Sequence, residues 1–127
     1  MRIVLVGVCG SGKTALVRGL HRSGYDVREC GQEHSEVPYM WQVLSRPDIL
    51  IYLDASEGVI CRRGCRHYLE GYVDDQRRRL AHARAHCDLY VMTDDLTESQ
   101  VLEQVKEFLA GYVAAPKNAR DLTDKQG

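Results

Sequence analysis

Apolar and polar positions along this chain follow two alternating periods, and the alternation predicts strands interleaved with helices. Arg2-Ile3-Val4-Leu5-Val6 is a continuous apolar, β-branched run, and Asp48-Ile49-Leu50-Ile51-Tyr52-Leu53-Asp54 is a longer one. Runs that are apolar at every position read as central strands buried on both faces. Shorter runs at Tyr25–Cys30 and Asp88–Met92 read as two further strands. Between them the period changes. Lys13 to about Arg22 is helical and ends at Ser23-Gly24, and a short helix over Tyr39–Ser45 is stopped by Arg46-Pro47. Ser56 can cap a helix over Glu57–Arg63, and a long polar helix follows over about Leu69–Ala85. The last helix has apolar residues at 101, 102, 105, 108 and 109, one face of a helical wheel. Thr97 and Gln100 at its start make a capping box. Strand and helix in alternation predict an α/β fold: a three-layer α/β/α sandwich around a mostly parallel sheet of four to five strands. One domain is expected over residues 1–113, with 114–127 a disordered tail in which periodicity is lost.

Composition narrows the class without naming it. With 127 residues, 44% hydrophobic and 28% charged, the chain is an ordinary single-domain globule. A formal net charge of -1 argues against a nucleic-acid partner. No apolar stretch approaches the length of a membrane span, and the N-terminus reads as a core strand rather than a signal peptide. Five cysteines, an odd number, fit reduced thiols and a cytoplasmic location.

The chemistry lies at the junction of the first strand and the first helix. Gly7-Val8-Cys9-Gly10-Ser11-Gly12-Lys13-Thr14 matches the phosphate-binding pattern G-x-x-x-x-G-K-[ST] at every specified position. Glycines at 7, 10 and 12 let backbone N–H groups converge on phosphate oxygens, at the N-terminus of a helix that favours anions. Gly7, Cys9, Gly10, Ser11, Gly12, Lys13, Thr14 and Ala15 are the expected nucleotide-binding residues. Lys13 would supply charge to the terminal phosphates, and the Thr14 hydroxyl would serve magnesium. The expected ligands are therefore a nucleoside triphosphate, with a lean to ATP, and Mg2+. No Asn-Lys-x-Asp guanine motif occurs, since Asn118 is the sole asparagine. Zinc is a further reading, with Cys61 and Cys65, and His82 and His86, each four apart.

The order of parts resembles the P-loop kinases, the group holding adenylate, shikimate, gluconate and deoxynucleoside kinases. GVCGSGKT, PDILIYLDASEGVICRRG and CDLYVMTDDLTESQVLEQVKEFL carry the resemblance, which covers about residues 1–30 and 47–110. It implies a P-loop NTPase fold and transfer of the terminal phosphate of ATP to a small-molecule acceptor. Arg62, Arg63 and Arg66 follow the Asp54 strand where the family carries its lid, and Arg62 and Arg66 are expected to clamp phosphates. Deoxynucleoside kinases place a glutamate base just after the second strand and a tryptophan a few residues on. Glu33 and Trp41 are similar in placement, so Glu33 is expected as base or metal-orienting carboxylate, the other reading being a solvated loop with Trp41 in the core. Asp54, at the carboxyl end of a central strand, reads as a magnesium-orienting residue or as a turn aspartate. Lys13, Glu33, Asp54, Arg62 and Arg66 are thus the expected catalytic set. Only Gly31–Arg46 fills the place of the family's acceptor region. That shortening keeps a second reading open, a nucleotide-binding switch with slow ATP or GTP hydrolysis, and makes a homodimer that completes the acceptor pocket plausible.

Overall fold

The computed structural model describes residues 2–8, 10–37, 39–45, 47–63 and 72–114. Cys9, Arg66 and the expected tail beyond residue 114 lie outside the described residues, as do Cys65 and His67.

The described residues form, in order, β1 Ile3–Gly7, α1 Lys13–Arg22, β2 Val27–Glu29, a 3-10 turn Gln32–His34, α2 Met40–Ser45, β3 Ile49–Asp54, α3 Glu57–Arg62, α4 Tyr72–His86, β4 Leu89–Met92 and α5 Glu98–Ala114. The four strands form one parallel sheet in the order β2-β1-β3-β4. β1 and β3 are the inner pair and every residue of both is buried, as their unbroken apolar runs require.

Alternate residues of these inner strands serve opposite faces. Ile3, Leu5, Ile49, Ile51 and Leu53 pack with Leu16 and Leu20 of α1 and with Val101, Val105 and Leu109 of α5. Val4, Val6, Leu50 and Tyr52 pack with Trp41 of α2, Val59 and Ile60 of α3, and Leu80 and Ala83 of α4. Helices therefore cover both faces of the sheet. The capping box forms as expected: Gln100 N–H donates to Thr97 Oγ1 at 3.1 Å and Thr97 N–H to Gln100 Oε1 at 2.8 Å.

β2 is shorter than the Tyr25–Cys30 strand expected. The Tyr25 N–H is spent on the carbonyl of Leu20 at 3.0 Å, closing the C-terminus of α1, so the chain enters the sheet only after it. Among the described residues between Glu29 and Ile49 there is no strand, only the 3-10 turn and α2. The sheet has four strands, and β2 lies directly against β1.

Candidate functional site

The loop between β1 and α1 is held in a shape that side chains would obstruct. Gly10 and Gly12 have φ of 80° and 100°, a region open mainly to glycine. A Cβ at Gly7 would stand 2.2 Å from the carbonyl oxygen of Leu53, so β1 and β3 approach here as only glycine permits. The Leu16 N–H donates to Gly12 O at 3.1 Å, so α1 starts directly at the loop. The first-turn N–H groups of such a helix face outward without helical partners and carry its positive dipole end.

Lys13, the first residue of α1, does not extend into solvent. Its side chain is 7% exposed, and its Nζ donates to Gly7 O at 2.5 Å and pairs with Glu33 Oε2. Glu33 is equally buried, and its second oxygen, Oε1, has no hydrogen-bond partner among the described residues. A carboxylate oxygen removed from water and unpaired is costly unless a donor or cation reaches it. Thr14, one residue on, is exposed. Lys13, Thr14, Arg18, Glu29, Glu33 and Arg63 line one open cleft of about 680 Å3 against the loop. A second hollow, of about 260 Å3, adjoins it at Gly12, Ala15, Arg63 and Glu98 and is further lined by Leu16, Leu96 and Val101 with Thr93. The loop thus borders both a charged cleft and a half-apolar one.

Arg63 ties this loop to the far end of the sheet. Its guanidinium donates to Gly10 O at 2.9 Å, to Thr93 Oγ1 at 3.0 Å and to Thr93 O at 2.7 Å. The Thr93 hydroxyl lies 3.0 Å from both Ser11 O and Asp54 O. Arg62, expected at the phosphates, is exposed at the end of α3. It lies near Asp94, whose carboxyl is held below its ordinary range first by the Ser56 N–H, with the charges of Arg63 and Arg62 adding. Of the adjacent arginines, the structure brings Arg63 to the loop. The pair was separable only by knowing where α3 ends.

Of the two readings of Asp54, its contacts favour the structural one, a turn aspartate, over the magnesium-orienting one. Asp54 shares strand parity with Leu50 and Tyr52, so its carboxylate points to the α4 face, whereas α1 with Thr14 packs on the opposite face. Both oxygens are engaged. Oδ1 accepts from Ala55 N–H at 2.9 Å and from Arg77 at 3.2 Å, and Oδ2 accepts from Tyr90 O–H at 2.6 Å. Burial, then the bond to Asp54, pushes the Tyr90 hydroxyl up to about 12. Tyr90 also carries Arg84 over its ring at 3.9 Å. Asp54 therefore joins β3, β4 and α4. Asp54→Asn should cost roughly 1–3 kcal/mol, lowering Tm by several degrees, because a neutral amide serves Arg77 and Tyr90 poorly. Any affinity for ATP should stay within about twofold of that of the unaltered protein. An unchanged melting curve with a collapse in magnesium-dependent ATP binding would place this carboxylate at the metal instead.

The remaining candidates separate cleanly. Trp41 is 5% exposed and sits in the core, its indole N–H donating to His82 Nδ1 at 3.1 Å, so of its two readings the core one holds. His82 and His86 stack at 4.3 Å, and the Nδ1 of His86 lies 2.8 Å from the His82 carbonyl. Among the described residues no group of three His, Cys, Asp or Glu side chains could hold a metal ion. Arg78 and Arg79 pair with Glu36 and Asp75 on the surface, as a solvated helix face does. Among the described residues no helix is long and apolar enough to cross a membrane.

Compared with family models and with curated protein sequences, the chain has no match. Its functional reading rests on the residues themselves.

Proposed function

We propose that Gly7–Thr14 is the phosphate-binding loop of a P-loop NTPase-like protein that binds ATP with Mg2+, and that the protein is a small kinase. The observation that carries this reading is the meeting of Lys13 and Glu33 beneath the glycine loop. A triphosphate in the loop would take the outward N–H groups of α1, and its terminal phosphates would draw the Lys13 ammonium from Glu33. The half-apolar hollow at Ala15, Leu16, Leu96 and Val101 suits the nucleoside.

Magnesium requires hard oxygen ligands and keeps several of its waters: the exposed Thr14 hydroxyl would hold it directly, and the orphaned Glu33 Oε1 in the same cleft would accept from one of its waters. The bound ion would neutralise phosphate charge. Once relieved of Lys13, Glu33 can accept the proton of an acceptor hydroxyl as its oxygen bonds to the terminal phosphorus. The bond from that phosphorus to the bridging oxygen breaks, and ADP carries the electron pair. Arg63, which already holds the loop carbonyl of Gly10, fixes the loop during this step. With Arg18 and Glu29 also lining the cleft, a small, charged acceptor suits it better than an apolar one.

The short stretch from Gly31 to residue 46, with only a 3-10 turn and α2 described in it, favours a second reading. On that reading the protein is a nucleotide-dependent switch with slow hydrolysis. ATP labelled at the γ-phosphate, incubated with magnesium and pooled small metabolites, separates the two. The kinase reading expects label in a metabolite; label confined to free phosphate, at a slow rate that no acceptor changes, would overturn it. A second copy of the chain could complete the acceptor side, and light scattering reads that directly.

A further inference from the structure

Gln32 is a polar residue with no exposed surface, placed where the 3-10 turn meets α2 and α4. Its amide is fully engaged. Oε1 accepts from the Trp41 N–H at 2.9 Å, while Nε2 donates to Val37 O at 2.7 Å and to Arg79 O at 3.2 Å. Burial of an amide is costly without such partners, and an apolar side chain of the same volume would fill this space without the cost. The three bonds join the turn to the lead into α2, to the first turn of α2 and to the backbone of α4.

What these bonds hold is the residue next in sequence, Glu33. The turn carrying it has three residues and closes with Ser35 N–H to Gln32 O at 3.0 Å. A turn this short has little stiffness. Yet Glu33 must hold its carboxylate, buried, against the Lys13 ammonium. External anchors supply the missing stiffness. Arg79 adds a long contact from Nη1 to Glu33 O at 3.4 Å, and Trp41, the partner of Gln32 Oε1, is itself fixed in the core and by His82.

We infer that Gln32 is a positioning residue, whose buried amide sets the place of the Glu33 carboxylate against Lys13. The inference rests on the reading of Glu33 as the proton-accepting or metal-orienting group of an ATP site.

A double-mutant comparison in the full chain tests it, with Mg-ATP turnover as the assay. Gln32→Met removes all three bonds, and Gln32→Glu keeps the acceptor for Trp41 while losing both donors. Either should lower kcat about ten- to a hundredfold, with KM for ATP within about twofold, since misplacing a reacting group by an ångström has effects of this size. In the Glu33→Gln background the same changes should cost less than about twofold, because the group they position is already disabled. Equal losses in both backgrounds would overturn the positioning role, as would a rise in KM with kcat unchanged. A readout free of activity stands beside this one. In the unaltered protein the buried Lys13 ammonium should give a slowly exchanging signal in 15N-resolved NMR, and both Gln32 variants should lose it. Persistence of that signal in a folded Gln32 variant would overturn the inference. Loss of the signal, in a protein without Lys13-dependent turnover, would uphold the positioning and contradict the ATP reading instead.

Discussion

Lys13→Ala should lower magnesium-dependent turnover of ATP by about two to three orders of magnitude, the usual cost of deleting one preorganised charge at a transferring group. Two losses combine in this variant. The terminal phosphates lose their point charge, so ATP binding weakens together with turnover. The fold is weakened as well, because Glu33 is left buried with no counter-charge and with Oε1 already unpartnered. Breaking a buried pair on one side costs about 3–5 kcal/mol. The stability loss should be repaired in part by Lys13→Met with Glu33→Gln, which removes the stranded charge, while turnover stays absent. Thermal melts of the single and double variants, run beside the turnover assay, read both effects. Unchanged turnover in Lys13→Ala would refute the site. Equal melting of the single and double variants would mean that Lys13 and Glu33 are not energetically paired.

Glu33→Gln should separate binding from chemistry in the opposite sense. An amide cannot neutralise Lys13, so the ammonium is released to the phosphates, and ATP should bind at least as tightly as before. Turnover should fall about a hundredfold or more, since a positioned general base contributes on the order of 10²–10⁴. Tighter or equal binding with lost turnover is a combination that a merely structural glutamate does not produce. Weaker binding with turnover retained would show Glu33 to be a scaffold residue, and the buried pair with Lys13 would then be only a packing device.

Much of this site was legible in the sequence because local chemistry fixes it. The loop pattern specifies glycines at 7 and 12, and Gly10 and Gly12 both adopt the left-handed backbone that glycine favours. α1 spans Lys13–Arg22 as its pattern predicted, and the Thr97–Gln100 capping box forms. What was not legible depends on which face a residue takes. β3 is apolar throughout, so no alternation reveals that Asp54 falls on the α4 side, where Arg77 and Tyr90 engage it. A buried strand conceals its own parity. Gln32 lies in a short turn without periodicity, and its partners Val37, Trp41 and Arg79 are brought to it only by folding. Arg63 differs from Arg62 by one residue past the end of α3, a boundary that sequence places to within a turn at best. Only the resemblance to deoxynucleoside kinases points to Glu33 in the sequence, and its burial against Lys13 is what the structure adds.

The central claim is that this loop binds a triphosphate through Lys13, and calorimetric titration of the full chain with Mg-ATP tests it most directly. The account predicts saturable one-to-one binding that is lost or greatly weakened in Lys13→Ala and preserved or tightened in Glu33→Gln. No binding to the unaltered protein, or binding that is indifferent to Lys13, would contradict it.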